Sequence, residues 1–141
     1  MDVRPVQSEA ELDAALDLRE RVFCGEQGVS AAADRDGRDD EATHIVAVSG
    51  GQVVGTCRLL FRGSVARLGR LAVEPERRGA GIAAAILREA DLVALQHEAE
   101  SISLHAQTYA LKLYLDAGYE ERGPAFTEEG IEHVAMEKRL A

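Results

Sequence analysis

The sequence predicts an α+β fold, in which a mixed and mostly antiparallel sheet of six to seven strands carries helices on both faces. Two observations lead to this class. The region from His44 to Val73 is rich in alternating β-branched residues and contains a turn signal at Ser49-Gly50-Gly51, which is typical of a hairpin. The chain then runs from strand to helix to strand between Ser64 and Ala106, which indicates a right-handed crossover. At 141 residues, the length fits one domain, 1–141.

The first part of the chain is predicted to form a short strand and a helix. Val3 to Gln7 is the expected strand. Ser8 and Glu11 form a capping box, and apolar residues follow at helical spacing, so a helix is expected from Glu9 to about Phe23. From Gly25 to Thr43 the apolar period disappears, which predicts an ordered loop or a single helical turn.

The remaining elements complete the sheet and its helices. Further strands are expected at His44 to Val48, Gln52 to Leu60, Ser64 to Val73, Ser101 to Ala106, Tyr119 to Arg122 and His133 to Arg139. A helix is predicted from Ile82 to His97, because apolar residues share one of its faces. A second helix contains Ala110 to Ala117 and is expected to end at Gly118 in a left-handed cap.

Composition and charge argue against several classes of partner. Twenty-five acidic and sixteen basic side chains give a net charge of −9, opposite in sign to a surface that binds nucleic-acid phosphates. The longest apolar stretch, Ile82 to Leu87, is too short to span a bilayer. The spacing of the cysteines and histidines matches no metal site. We therefore expect a cytoplasmic protein with no nucleic-acid or membrane partner and no metal.

The charges are unevenly distributed along the chain. Met1 to Thr43 holds twelve acids and five bases, whereas Cys57 to Arg78 holds six arginines and two glutamates. A local excess of arginine in an acidic protein predicts either a small anionic ligand or a salt-bridged face. Charge alone leaves both interpretations open.

The turn from Arg78 to Ala83 joins a strand to a helix in a way that predicts an anion site. Free backbone N–H groups and the positive end of the helix dipole point to one spot there. Gly79 and Gly81 allow a positive φ and a close approach of the ligand, and Arg77 adds charge. A plain helix start, with glycines that serve close packing, is the alternative.

A dinucleotide site is a second interpretation of the same turn. Gly79 to Ala84 satisfies the G-x-G-x-x-A fingerprint. In that fold the first glycine follows directly on the strand, whereas Glu74 to Arg78 intervene here. Antiparallel strands also precede the unit, so the context argues against a dinucleotide-binding protein, which stays a third hypothesis.

The segment Leu68 to Ala83 resembles the acyl-CoA-binding core of the GCN5-related N-acetyltransferases, the GNAT superfamily. It contains that family's R/Q-x-x-G-x-G/A pattern, and Gln107 to Tyr119 resembles the second signature. A finer resemblance, to the ElaA-like branch, covers nearly all of the chain. That resemblance is carried by Arg21 to Phe23, Glu26 to Val29, Asp36, Asp39, Ala42, His44, Leu104 to Gln107, Phe126, Glu129 to Ile131, His133 and Met136. Gln107 departs from the Asn of many relatives, and Ala83 from their Gly.

The resemblance implies that acetyl-CoA is the acetyl donor and that it binds in a gap between splayed central strands. Leu71 to Val73 would lie beside the pantetheine arm, and Arg78 to Ala83 would hold the pyrophosphate. The full implied set of cofactor-binding residues is Leu71, Ala72, Val73, Arg78, Gly79, Ala80, Gly81, Ile82, Ala83, Gln107 and Tyr114. This assignment would also explain the local excess of arginine.

The resemblance further implies direct acetyl transfer to a primary amine of a small molecule or peptide. Tyr114 matches the family's general-acid position, although a core tyrosine at helical spacing is the alternative. A backbone N–H near Leu71 would stabilise the charge that develops on the acyl oxygen. Glu26 is the first candidate for the general base and His105 the second. A solvated loop glutamate, a satisfied strand-end histidine and a water chain are the alternatives.

A non-catalytic acyl-CoA-binding regulatory module is the alternative function from another class, and Tyr114 favours the enzyme. The expected partners are acetyl-CoA and an amine or peptide acceptor, and a homodimer is an option that the sequence does not decide. The net charge of −7 between Met1 and Thr43 predicts an acceptor that is cationic before the reaction.

Overall fold

The computed structural model describes residues 1–140 and joins its strands in one eight-stranded sheet. The strands are β1 (Asp2–Pro5), β2 (Thr43–Ser49), β3 (Gln52–Arg62), β4 (Val65–Val73), β5 (Ser101–Gln107), β6 (Glu120–Glu121), β7 (Phe126–Glu128) and β8 (Ile131–Arg139). Their order is β1-β2-β3-β4-β5-β8-β6, and β7 also pairs with β8. The pairing of β4 with β5 is parallel and the other pairings are antiparallel. The predicted α+β class is therefore confirmed.

Helices lie on both faces of this sheet. They are α1 (Glu9–Arg19), which continues as a π-helical segment (Glu20–Glu26), α2 (Ala31–Asp34), α3 (Ile82–Gln96) and α4 (Leu111–Asp116). Successive residues of a strand point to opposite faces. Accordingly, Ala72 of β4 packs with Leu18 and Val22 beside α1, while Val73 joins the main core with residues of α3. Between residues 1 and 140, no helix is long and apolar enough to cross a bilayer.

Three elements differ from the sequence prediction. The first helix changes from α to π geometry after Arg19, and the predicted strand Tyr119 to Arg122 is reduced to β6. The sequence analysis missed β7, because its three residues include one apolar side chain and show no alternation. The turn Glu129-Gly130, with φ of 52° and 73°, closes β7 and β8 into a two-residue hairpin.

Helix α3 packs tightly on β3 at Gly55. A Cβ atom at this position would lie 2.8 Å from Ile86 Cδ1 and 2.9 Å from Ile82 Cγ2. Gly69, a strand glycine in β4, has no heavy atom within 4 Å of the same point. The missing side chain of Gly55 therefore sets how closely α3 approaches the sheet, and with it the position of the turn that precedes α3.

We predict that Gly55→Ala destabilises the protein, because the added methyl group forces α3 away from β3. Overpacking of this kind lowers the free energy of unfolding by about 1–3 kcal/mol. Urea unfolding of the variant against wild type measures the loss. Gly69→Ala is the matched control and should change the unfolding free energy by less than about 0.5 kcal/mol. Equal stability of the two variants would contradict the packing argument.

Candidate active site

A cleft opens where β4 and β5 separate. Their parallel pairing covers Val65 to Arg67 on one strand and Ser101 to Ser103 on the other. Beyond this point the strands diverge around a cleft of about 1460 Å³, whose walls also include α3, α4 and the π-helical segment. Backbone N–H and C=O groups that face such a gap need partners. A ligand with amide groups can supply them as an added strand would.

The wall formed by β4 contains a β-bulge. The register with β3 is interrupted at Arg70 and Leu71, which have no partner residue in β3. Arg70 has a φ of 56°, in the left-handed region that side chains rarely adopt. Bulges bend a strand and are frequent next to active sites. The bulge thus takes the backbone around Leu71 out of the ladder at the wall of the cleft.

The turn from Arg78 to Ala83 lies at one end of the cleft. Gly79 and Gly81 have φ of 83° and 81°, and no heavy atom lies within 4 Å of the point where either Cβ would be. Gly81 is the N-cap of α3, and no side chain caps this helix. The first N–H groups of α3 are therefore left without a side-chain partner beside open space, which fits a phosphate-bearing ligand. Every residue of this turn except Ala80 lines the cleft.

The end of the π-helical segment bridges the mouth of the gap, and we call its last residue, Glu26, together with the following Gln27 the strap. Glu26 accepts two hydrogen bonds from Arg78, at 2.8 and 2.9 Å. Gln27 exchanges hydrogen bonds of 2.8 and 3.3 Å with Gln107 of β5, and it also donates to the Tyr109 hydroxyl. The hydrogen bonds from Arg78 lower the pKa of Glu26 below its usual value. In this state neither Glu26 nor Arg78 is free for another ligand.

Tyr114 of α4 lies on the wall of the cleft with its residue surface 8% exposed. Its ring packs edge-on against Tyr119, with ring centroids 6.0 Å apart. Burial raises the pKa of Tyr114 above the usual value of a phenol. The hydroxyl is therefore protonated at neutral pH and can donate a proton or a hydrogen bond into the cleft.

An ion-pair network with buried arginines, Arg19 and Arg58, attaches the segment after α1 to the sheet. Arg19, with 0% of its surface exposed, donates to Asp39 at 2.7 Å and to the backbone oxygen of Asp34 at 2.8 Å. Arg58 of β3 donates to both oxygens of Asp36 and to Asp39. Buried charges of this kind are tolerated when they are paired and hydrogen-bonded. The network fixes the loop that forms one wall of the cleft.

The same network bears on the predicted cationic acceptor. Arg70 donates to the backbone oxygens of Ala33 and Asp34 and to the Asp36 carboxylate. The Arg58 hydrogen bonds lower the pKa of Asp36, and those of Arg19 and Arg58 lower that of Asp39 against the opposing effect of burial. These carboxylates are ionised but already neutralised by arginine. Two of the twelve acids behind the prediction of a cationic acceptor are thus paired, and the charge of the acceptor stays a prediction.

His105 lies at the other end of the cleft from Arg78. Its Nδ1 lies 3.1 Å from Glu128 Oε1, and Arg67 Nη2 lies 2.9 Å from its Nε2. Phe126 packs edge-on against the imidazole, with ring centroids 4.9 Å apart. The imidazole is thus oriented by a carboxylate and a guanidinium beside the point where β4 and β5 part.

The structure brings most of the residues predicted from sequence into this one cleft. Those that line it are Glu26, Leu71, Ala72, Val73, Arg78, Gly79, Gly81, Ile82, Ala83, His105, Gln107 and Tyr114. Their catalytic and binding roles stay predictions. The sequence analysis missed Gln27, Arg67 and Glu128. The Glu-Gly hairpin signal after Phe126 could have indicated the position of Glu128. No local sequence signal shows that Gln27 and Arg67 reach the cleft.

Comparison with known proteins places this geometry among acetyltransferases. The family model of the acetyltransferase (GNAT) domain matches residues 5–140. The Bacillus subtilis (strain 168) protein YyaT is 33% identical over 144 residues, covering 100% of this chain and 97% of its own. The N-acetyltransferase YjcF of the same organism is 32% identical, covering 94% of this chain and 95% of its own.

Solved structures show the same fold. A candidate N-acetyltransferase from Lactobacillus plantarum superposes with a TM-score of 0.91 and 29% identity, covering 99% of this chain and 98% of its own. Escherichia coli ElaA has a TM-score of 0.85 and 23% identity, and each chain is covered to 97%. An aminoglycoside 6'-N-acetyltransferase complexed with coenzyme A has a TM-score of 0.81 and 16% identity, covering 100% of this chain and 98% of its own.

We predict that Asp36→Asn lowers the free energy of unfolding, and that the loss depends on pH. The pKa of Asp36 is lowered in the folded protein, so its carboxylate contributes stability above its unfolded pKa of about 4, and this contribution is lost as the pH falls. The variant should lose about 1–3 kcal/mol of unfolding free energy at pH 7. The difference from wild type should shrink below about pH 4.

Urea unfolding at pH 7 and pH 3 measures both values. Asp40→Asn is the control, because Asp40 is an exposed neighbour outside the network. A loss that is the same at both pH values would show that the carboxylate charge of Asp36 is not what stabilises the loop.

Proposed function

Because the chain belongs to the GNAT family of acetyltransferases, we propose that it moves the acetyl group of acetyl-CoA to a primary amine of a small molecule or peptide by direct transfer. The observation that carries the proposal is the arrangement of the cleft. An open glycine turn lies at one end, an oriented imidazole lies at the other, and a buried phenol lies on the wall. These are the groups that donor binding, acceptor activation and thiol release require.

The residues present fit acetyl-CoA, which supplies an activated thioester when bound. Arg78 and the backbone N–H groups up to Ala83 would hold its pyrophosphate, since this turn has room for a close approach. Leu71 to Val73 would pair with the amides of the pantetheine arm. The interrupted register at Leu71 supports its N–H as a donor to the acyl oxygen. Gln107 would contact the donor from β5 once Gln27 releases it.

Tyr114 is the proposed general acid. During transfer a C–N bond forms, the C–S bond breaks, and Tyr114 gives its proton to the sulfur while the amine gives a proton to the base. The position of Tyr114 supports this role, because the residue lines the cleft and a phenol carries its proton at neutral pH. The proton then returns to Tyr114 from solvent.

His105 is the better supported of the two candidate bases. Glu26 is tied to Arg78 and its pKa is lowered, which makes it a weak proton acceptor in this state. His105 lies on the cleft wall, and Glu128 orients its ring. Its Nε2 accepts a hydrogen bond from Arg67 in this state, because a guanidinium can only donate, so Nε2 can act as a base once Arg67 binds another group. We therefore propose His105 as the base, with Glu26 as a contact that the donor displaces.

The state of the cysteines supports direct transfer over a covalent acyl-enzyme. Burial raises the pKa of the Cys57 thiol to about 12, and burial also raises the pKa of Cys24. A thiol in this state is a poor nucleophile. Within residues 1–140, neither cysteine lines the cleft.

We predict that Tyr114→Phe lowers turnover by about 10²–10⁴-fold with little change in CoA affinity, because it removes the proton donor and keeps the packed ring. Thiol release from acetyl-CoA and calorimetric CoA binding measure the two quantities. Tyr119→Phe is the matched control, since it removes a buried tyrosine hydroxyl that does not line the cleft. Turnover at the wild-type rate in Tyr114→Phe would show that Tyr114 only packs the helix.

CoA binding by the wild-type protein without turnover of any amine would favour the regulatory module.

We predict opposite effects on CoA affinity from the two members of the Glu26–Arg78 pair. Arg78→Gln should weaken binding, because the pyrophosphate loses a guanidinium. Glu26→Gln should tighten binding by about two- to fivefold, because a carboxylate no longer competes for Arg78 in an exposed ion pair. Calorimetry with CoA gives both affinities. Asp116→Asn breaks another exposed ion pair away from the cleft and should leave the affinity unchanged. Weaker binding in Glu26→Gln would refute the competition.

A further inference from the structure

We propose that the acceptor site is the basin formed by Arg62, Arg67, His105, Glu128 and Glu129, and that it takes a zwitterion, an amine that carries a carboxylate, as a free amino acid does. The inference rests on the proposed acyl transfer and names its acceptor class. All five residues lie on the walls of the same cleft as the glycine turn.

The position of the basin gives the acceptor its own entrance. The gap has two ends along β4. Arg67 is the last residue of the strand that pairs with β5, and at the other end β4 stops at Val73, from where the 3₁₀ segment Pro75–Arg77 leads to the turn that begins at Arg78. His105 lies two residues beyond Ser103, the partner of Arg67 in β5. A donor held at the glycine turn therefore leaves the basin free for the second substrate, with Tyr114 on the wall they share.

The β3–β4 side of the basin is positively charged. In the antiparallel register Leu60 faces Arg67 and Arg62 faces Val65, so the two arginines lie on the same face of the sheet as diagonal neighbours. Both are exposed, and within residues 1–140 neither forms an ion pair with a carboxylate. Arg67 contacts His105, a group with no negative charge.

Arg62 and Arg67 differ from most other arginines of the cleft in having no carboxylate partner, which indicates an external anion. Arg58, Arg70 and Arg78 each bind a carboxylate of the protein. Arg77, beside the glycine turn, instead donates to the Ser49 hydroxyl and has no carboxylate partner within residues 1–140. In a chain with nine more acids than bases, two adjacent guanidiniums without such a partner are available to an external anion. The planar fork of arginine matches the two oxygens of a carboxylate.

The β7–β8 side of the basin is negatively charged. Glu128 Oε1 contacts His105, while its Oε2 lies 3.9 Å from His133 Nε2, longer than a hydrogen bond. This second oxygen can therefore accept a hydrogen bond from an ammonium group. Glu129 follows in the left-handed turn, with φ of 52°, a strained conformation for a residue with a side chain.

These two sides together select a zwitterion. A simple diamine would place positive charge against Arg62 and Arg67, and an acceptor with only negative charge would meet Glu128. Arg67 and Glu128 contact the same imidazole, so their charges are spaced for a ligand whose amine and carboxylate are close together. The amine would then lie beside His105, the proposed base.

The experiment compares amino acids with molecules that differ by one charge. For a panel of α-amino acids, each with its α-amide, kcat/KM is measured by thiol release from acetyl-CoA. We expect a preference of about tenfold or more for the acid, as charge-assisted hydrogen bonds provide. Arg67→Gln and Arg62→Gln should reduce this ratio towards one. Arg88→Gln removes an exposed arginine from the outer side of α3 and should leave the ratio unchanged.

Two results would overturn the inference. One is faster acetylation of the amides or of simple diamines than of the amino acids, and the other is a ratio that survives both arginine variants. Either of these results leaves acyl transfer intact. If no amine is acetylated, NMR titration of the protein with amino acids in the presence of CoA tests the basin directly. Saturable binding of an amino acid that is lost in Arg67→Gln would support the basin. Equal binding of the acid and its amide would reject it. Failure of CoA itself to bind would instead refute the proposed function.

Discussion

The separation of β4 from β5 is the constraint on which the rest of the structure depends. The two strands pair over three residues each and then diverge, so the sheet contains a gap instead of a continuous ladder. The glycine turn before α3 lies at one end of that gap and His105 at the other, and both are proposed to act on the substrates. A sheet that stayed paired along its full length would have no space for a donor, and Tyr114 would be an ordinary core residue.

The protein maintains this gap with interactions that are unfavourable by themselves. Arg70 adopts a left-handed backbone at the bulge, and its side chain then holds the backbone oxygens of Ala33 and Asp34. Arg19 is fully buried and depends on acidic partners from the following loop. Strain and buried charge persist where surrounding structure determines them, and here they fix a cleft wall. The bulge and the loop are therefore coupled, because the backbone of Arg70 forms part of the bulge while its side chain binds the loop.

The arginines between Cys57 and Arg78 serve three regions of the structure, whereas their charge alone left two interpretations open. Arg58 and Arg70 hold the loop, Arg78 joins the strap at the glycine turn, and Arg62 and Arg67 line the basin. The salt-bridged face that charge alone left open is thus present in this stretch of chain, and the anionic ligand stays a proposal. The strap joins the two sides of the gap, because Glu26 binds Arg78, which follows β4, and Gln27 binds Gln107 of β5.

Sequence alone determined the features whose cause is local. The hairpin at Gly50, the helix that begins at Ile82 and the positive φ at Gly79 and Gly81 follow from residue type and short-range periodicity, so they were predictable. Tertiary structure alone decided which charges meet. Glu26 and Arg78 are 52 positions apart, Gln27 and Gln107 are 80, and Arg67 and His105 are 38. Such contacts depend on the crossover and the strand order, which bring distant residues together without any local signal in the sequence.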